Sequence, residues 1–283
     1  MTDTSAASDR KAIFLDIDGT YAHRGTVPEA HKEAVRAARA AGNLVFLCTG
    51  RPQSLIFEQM TEAGFDGIVA AAGGHVRIGE ETLLDLRFPE DLAARTIAAL
   101  DAHDAVYWLE TPEATYARQP TLDRVDDHLP AHMKQHDTNG RARAQVLEHL
   151  TILSDLSDVR VGKITIMHAD VPLTEIAAEV GPDLASISSS IPGMGDRAGE
   201  LYMADVHKAT GIAAVIAHLG MTREDVLAFG DGPNDIEMLD FAGIGVAIEG
   251  SAPELLAVAD RTCAGPEEAG LATAFAELGL LTR

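Results

Sequence analysis

Cysteine is nearly absent from this sequence: two in 283 residues, Cys48 inside an apolar run and Cys263 near the end, without CxxC spacing. That excludes a disulfide framework or a cysteine-rich metal site and fits a reducing compartment, the cytoplasm. Long apolar runs are missing too. None approaches the ~20 residues that a bilayer span needs, and Met1 to Arg10 is polar, without the apolar centre of a signal segment. Basic residues are scarce, 22 Lys and Arg against 44 Asp and Glu, for a formal charge of −22. Such a balance argues against nucleic acid and anionic membranes as partners. A small anionic substrate still binds such a chain where a cation and local amides offset the field.

Several catalytic signatures are also lacking. There is no Gly-x-Ser-x-Gly and no Walker A sequence. The Asp-rich turns are not EF-hand loops, because the position that requires Glu holds Val27 when counted from Asp16 and Ala242 when counted from Asp231. Nor is the run from Gly230 a dinucleotide fingerprint, since Asp235 stands where its last Gly belongs.

What is present is a β-α-β-α-β alternation. Ala12 to Leu15 reads as a buried strand ending in the polar run Asp16-Ile17-Asp18-Gly19-Thr20. A helix is expected from Pro28 to Gly42, a strand from Leu44 to Cys48, the turn Thr49-Gly50-Arg51-Pro52, a helix to about Ala63 and a strand from Gly67 to Ala72. Towards the C-terminus the pattern returns: a strand Leu201 to Asp205, a helix Lys208 to Leu219, a capping box at Thr222 to Asp225, strands Val226 to Phe229 and Ile244 to Ile248, and helices Pro253 to Ala259 and Pro266 to Leu278. Continuous apolar strands separated by helices imply an α/β fold, a doubly wound, Rossmann-like parallel sheet covered on both faces. Its halves are expected at residues 1–81 and 192–283. Residues 82–191 change texture, with a hairpin from Val76 to Phe88, a helix Pro89 to His103, strands Ala105 to Glu110 and Val159 to His168, and a helix Pro172 to Val180; they read as an inserted α+β domain.

Ligands of open α/β sheets bind beyond the carboxyl ends of the strands, and four polar clusters fall there or at a helix start beside one. Asp16 and Asp18 form a carboxylate pair suited to covalent phosphoryl transfer, one attacking phosphorus and the other moving protons. Alone, an apolar strand ending in Asp-Gly is an ordinary turn. Thr49 offers a hydroxyl, and the amides of Gly19, Thr20 and Gly50 can form an anion-holding nest, although Thr-Gly-Arg also reads as a plain strand-to-helix turn. Lys208 opens a helix at its positive end, so an anion belongs nearby, whether a phosphoryl group with Asp16 or a surface pairing with Asp205. Gly230 to Asp235 puts Asp231, Asp235 and Asn234 in one tight turn, oxygen ligands of the kind that suit Mg²⁺.

Together these clusters resemble the four ordered motifs of the haloacid-dehalogenase-like (HAD) superfamily, in particular its Cof-type phosphatases with a class IIB cap. The carriers are Asp16-x-Asp18-Gly19-Thr20, Thr49-Gly50-Arg51, Lys208 and Gly230-Asp231-Gly-x-Asn234-Asp235, with a large insertion between the second and third. The resemblance implies a soluble phosphatase acting on a small phosphorylated metabolite. It implies Asp16 as nucleophile and Asp18 as general acid/base, with Mg²⁺ held by Asp16, Asp231 and the Asp18 carbonyl. Asp235 would bind the ion through water or orient its ligands. Thr49, Lys208 and Asn234 would hold the phosphoryl oxygens. Two positions depart from the usual pattern: Ala72-Gly73-Gly74 stands where many relatives have Asn-Gly-Ala, and His207-Lys208-Ala209 where Ser-Lys-Gly is usual.

A phosphomutase is disfavoured because mutases of this superfamily usually carry a cap between the first two motifs, and Asp18 to Thr49 leaves little room for one. A non-catalytic phosphometabolite-binding protein is the alternative of a different class. Substrate choice is assigned to the inserted domain, with Trp108, Tyr107, Arg118 and His103 as candidate contacts or as mere packing. By family analogy a sugar or polyol phosphate leads, ahead of pyridoxal phosphate, flavin mononucleotide or a phosphoglycerate glycoside. His128, His132 and His136 could line one helical face as metal ligands, but a polar face of the inserted domain is the preferred account of them. Oligomeric state is not legible.

Overall fold

The structure is a computed structural model that describes residues 10–128, 149–189, 191 and 193–281. The chain divides into two compact units: residues 1–50, 57–84 and 208–283 form the first, residues 51–56 and 85–207 the second.

In chain order the first unit begins with β1 (Ala12–Leu15), α1 (Glu29–Ala40), β2 (Leu44–Cys48), a short α2 (Glu58–Thr61), β3 (Gly67–Ala70), β4 (His75–Ile78) and β5 (Glu81–Asp85). The second unit contributes α3 (Glu90–Ala102), β6 (Val106–Glu110), β7 (Thr115–Ala117), α4 (Gln119–His128), β8 (Leu150–Ile152), β9 (Lys163–His168), α5 (Leu173–Val180), β10 (Leu184–Ser188) and β11 (Gly199–Met203). The first unit then resumes with α6 (Lys208–Leu219), β12 (Val226–Gly230), α7 (Ile236–Phe241), β13 (Ile244–Ile248), α8 (Pro253–Val258), β14 (Arg261–Cys263) and α9 (Gly270–Glu277).

The first unit is an eight-stranded sheet in the order β14-β13-β12-β1-β2-β3-β4-β5. The pairings from β14 through β3 are parallel, and β4 turns back antiparallel on β3. β1, β2, β3 and β12 are buried along their whole length, the signature of strands covered on both faces. One face packs Phe14, Phe46 and Val226 against Ile212, Val215, Met238 and Leu255 of α6, α7 and α8. On α1 the buried residues His31, Ala34, Val35 and Ala38 follow the helical repeat, and Glu29 and Arg39 complement the helix dipole at its two ends. Chain order reverses at the β1–β12 pair, which places the switch point of a doubly wound fold there.

The second unit is a six-stranded sheet in the order β10-β11-β9-β6-β7-β8, antiparallel apart from the β7–β8 pair. Leu92, Leu100, Leu109, Ile164, Ile176 and Leu201 join α3, α5 and one sheet face in a single core.

Three boundaries differ from the sequence expectation. Gly199–Met203 belongs to the second sheet, antiparallel to β9 and β10, rather than opening the C-terminal half of the first. Residues 192–198 and 204–207 go with it. Its burial alternates instead of running unbroken, as suits a strand with one covered face. At the other end, β4 and β5 remain in the first sheet, so the insertion starts at Asp85 rather than residue 82. Finally, the helix expected up to Ala63 is a 3₁₀ turn, Gln53–Leu55, followed by α2, with Ile56 and Phe57 extended. Residues 51–56 belong to the second unit, where Ser54 donates to the Thr111 carbonyl at 3.2 Å, and that anchoring overrides local helix preference.

Candidate active site

Parallel pairing sets the site. Leu15 lies opposite Phe229, and the Asp16 amide continues the ladder onto the Phe229 carbonyl at 2.9 Å, so the residues after β1 and after β12 emerge side by side. After Asp16 the chain folds into a tight loop. The Tyr21 amide donates to the Asp16 carbonyl at 3.1 Å, Ala22 to Ile17 at 2.7 Å, and Gly19 to Ala22 at 2.9 Å. Gly19 makes this possible with φ at +94°, and a Cβ there would stand 2.1 Å from Asp231 Oδ2. The strand ends at Leu15, before the first carboxylate, and the loop itself brings Asp18 within electrostatic reach of Asp231. Asp16 is buried and Asp18 exposed.

Lys208, the first residue of α6, is wholly buried, and its Nζ lies 2.6 Å from Asp16 Oδ1 and 2.5 Å from Asp235 Oδ1. The surface pairing with Asp205 is therefore not what holds it. Asp235 is equally buried. Besides Lys208, which it meets through Oδ1, it accepts the backbone amides of Asp231 at 3.0 Å and Gly232 at 2.9 Å, both on Oδ2, so one oxygen holds the turn and the other the lysine. Gly230 leaves room for this carboxylate, which a Cβ would meet at 2.4 Å. Asp231 accepts a hydrogen bond from the buried Thr20 hydroxyl at 2.8 Å. Asn234 is half-buried in the same turn. Thr49, buried directly after β2, donates its amide to the Val69 carbonyl, and Gly50 follows it.

Carboxylate oxygens of Asp16, Asp231 and Asp235 lie within 4.8 Å of one another. Three acids against one ammonium is an unbalanced charge. Burial, then repulsion from Asp235 and Asp231, keeps the Asp16 carboxyl well above the usual range despite the pull of Lys208. Asp231 is pushed up to about 6 by burial, with Asp235 and Asp18 adding and the Thr20 hydrogen bond and Lys208 opposing. Lys208 is held above the ordinary lysine range, because Asp16 and Asp235 outweigh the effect of its burial. Buried, crowded, oxygen-only and net negative, this donor set fits a hard divalent cation such as Mg²⁺.

A sequence profile of the haloacid dehalogenase-like hydrolases matches residues 13–275. The chain belongs to this family. Among curated relatives, YkrA of Bacillus subtilis (strain 168), provisionally named a phosphatase, is 28% identical over 96% of this chain and 99% of its own length. The 5-amino-6-(5-phospho-D-ribitylamino)uracil phosphatase YitU of the same organism is 27% identical over 92% and 94%. The solved HAD subclass IIB sugar phosphatase BT4131 superposes with a TM-score of 0.77 at 24% identity, covering 95% of this chain and 99% of that one, a likeness of fold. The expected family and the α/β core with an inserted α+β unit both stand.

Of the residues expected from sequence, Asp16, Lys208, Asp231 and Asp235 are joined in one network. The Thr20 hydroxyl joins it too, a contribution not foreseen, although its place in the first motif was the available signal. The turn at Ala71–Gly73 is unusual in holding two alanines, Ala71 and Ala72, at φ of 49° and 54°, where Gly or Asn is at ease. The candidate contacts of the second unit are engaged within it: Trp108 Nε1 donates to Glu110 at 3.2 Å, Tyr107 to Asp101 at 2.9 Å, Arg118 pairs with Asp101, and His103 with Glu179 at 2.7 Å. His132 and His136 lie outside the described residues. His128 instead stacks on His168, ring centroids 4.1 Å apart.

Proposed function

We propose that this chain is a Mg²⁺-dependent phosphatase that hydrolyses a small phosphorylated metabolite, a sugar or polyol phosphate, through an aspartyl-phosphate intermediate. The carrying observation is the Lys208 ammonium bridging Asp16 and Asp235 beside the unmet charge of Asp231. Asp16 attacks phosphorus. The bond to the leaving oxygen breaks, and Asp18 supplies the proton that oxygen takes. Asp18 then removes a proton from water, which attacks the acyl phosphate and frees Asp16. Its exposure suits an acid that must exchange protons with solvent. Lys208, Thr49, Asn234 and the Gly50 amide hold the phosphoryl oxygens, the positioning and charge stabilisation on which phosphoryl transfer depends. The Gly19 amide, expected from sequence to join them, instead donates to the Ala22 carbonyl at 2.9 Å.

Asp16 and Asp231, with the Asp18 carbonyl, are the residues that would hold Mg²⁺, and Asp235, its oxygens already taken by three donors, would orient them. A bound cation offsets the mutual repulsion of the acids and the charge of the phosphoryl group. The second unit, residues 51–56 and 85–207, is assigned substrate choice. The ribityl phosphate in the name of one relative and the sugar phosphatase among the solved structures support the substrate class. Two unpaired buried cysteines and no helix, among the described residues, long and apolar enough to cross a membrane support a cytoplasmic setting.

Phosphate release from a panel of sugar, polyol, cofactor and nucleotide phosphates with Mg²⁺ tests the reading. Selective turnover that EDTA abolishes and Mg²⁺ restores is expected. Full activity in chelator would remove the metal assignment, and no release from any member would leave a phosphometabolite-binding protein.

A further inference from the structure

We infer that the Thr20 hydroxyl is a positioning group for the divalent cation: it fixes the Asp231 carboxylate so that Oδ1 is occupied and Oδ2 is presented to the ion. The inference rests on the metal-dependent reading above. Thr20 is fully buried, and its Oγ1 donates to Asp231 Oδ1 at 2.8 Å. Both partners sit on held backbone. Thr20 lies inside the loop closed by the Tyr21-to-Asp16 and Ala22-to-Ile17 hydrogen bonds, and the Asp231 amide is tied to Asp235 Oδ2. Against the backbone of Gly19 the carboxylate is packed so closely that a Cβ would meet Oδ2 at 2.1 Å and Oδ1 at 2.7 Å.

A carboxylate turns about its last bond at little cost, and its two oxygens are equivalent until something distinguishes them. Here the hydroxyl distinguishes them. A cation arriving beside Asp16 then meets an oxygen already aimed, instead of paying to order it. Groups that orient metal ligands in this way typically account for about 10–100-fold in metal affinity. The methyl of Thr20 is not part of the argument, which separates the role from simple packing.

The experiment is calorimetric titration of Mg²⁺ into metal-free protein for wild type, Thr20→Val, Thr20→Ala and Thr20→Ser, with urea unfolding of each alongside. Valine keeps the volume and alanine avoids strain, so two hydroxyl-free variants are available if one fails to fold. Expected is a Kd raised about tenfold or more in both, with Thr20→Ser close to wild type. In turnover assays the half-saturating Mg²⁺ should rise in the same variants while kcat at saturating Mg²⁺ largely survives. Hydroxyl-free variants that bind as wild type does, or a serine variant as weak as valine, would overturn the inference alone. Wild type without saturable Mg²⁺ binding would overturn the metal reading and the inference with it.

Discussion

Each unit of this protein buries a lysine between two carboxylates, and the two clusters differ in how much negative charge the lysine leaves uncompensated. In the second unit, Lys163 lies 2.5 Å from Glu200 and 3.2 Å from Glu110. Glu110 also accepts from Thr165 at 2.7 Å and Trp108 at 3.2 Å, and Glu200 reaches solvent. Burial raises the Glu110 carboxyl, and Lys163 opposes the rise. That cluster has one carboxylate in excess of its lysine, and the half-exposed Glu200 lets solvent meet part of that charge. In the first unit Lys208 faces the same two-carboxylate arrangement, yet Asp231 adds a third carboxylate within 4.8 Å. The same residue types thus make a structural bridge in one sheet and an incomplete site in the other. Charge left unbalanced under burial is what marks a place built for a ligand.

The largest test of that contrast is Asp16→Asn. Turnover should fall by at least about a thousandfold, because the nucleophile is gone. The metal-free protein should nevertheless unfold at the same urea concentration or a higher one, since one of three crowded acids has been neutralised. A variant with near-normal rate would end the covalent mechanism, and a clear loss of stability would show that the cluster was balanced after all.

Lys163→Met is the counterpart in the second unit. Removing one partner from a buried pair leaves Glu110 uncompensated and should cost about 3–5 kcal/mol in urea unfolding. A cost below about 1 kcal/mol, the range of exposed pairs, would mean that the two clusters differ less than their geometry suggests.

Acid sharpens the comparison further. Asp231 titrates near 6 in the folded protein, above the ordinary Asp value. Between about pH 4 and 6 the native state therefore binds more protons than the unfolded chain, and the stability of the metal-free protein declines as pH rises through that window. For cation binding the sign is opposite. Mg²⁺ needs the ionised carboxylate, so its affinity should weaken below pH 6, by up to about tenfold per unit for one displaced proton. Titration calorimetry at several pH values between 5 and 8 checks this, and a flat affinity would count against Asp231 as a ligand.

How much of this was readable beforehand follows from where the information lies. Asp16, Thr49 and Asp231 each follow a continuous apolar run and Lys208 opens a helix, all in fixed order, so the first sheet and the meeting of these residues were legible. The capping box at Thr222 was legible for the same reason, and the Thr222 amide does meet Asp225 at 3.0 Å. The fate of Gly199–Met203 was not, because strand partners are chosen by tertiary packing, and its half-covered burial is visible only in the folded chain. Short elements such as Thr115–Ala117 and Arg261–Cys263 carry too few residues to show a period. Which oxygen of which carboxylate is engaged is likewise decided by contacts between Thr20 and Asp231, far apart in the chain, and composition holds no trace of them.

The smallest expected effect asks whether an unmet buried group always signals function. Tyr21 is completely buried one residue after Thr20, and its hydroxyl has no hydrogen-bonding partner among the described residues. Its ring packs edge-on against Phe65 at 5.5 Å and lies over His31, while burial pushes the phenol above its ordinary value. Unlike Asp231, it adds no charge to its surroundings. Leaving a hydroxyl unpaired under burial costs about 1–3 kcal/mol, part of which its removal should return. Tyr21→Phe should accordingly be neutral or stabilising by up to about 1 kcal/mol in urea unfolding, with turnover unchanged. A variant that keeps its stability but loses rate would give the hydroxyl a place in the reaction. It would also show that charge imbalance, by itself, is too narrow a criterion for the site.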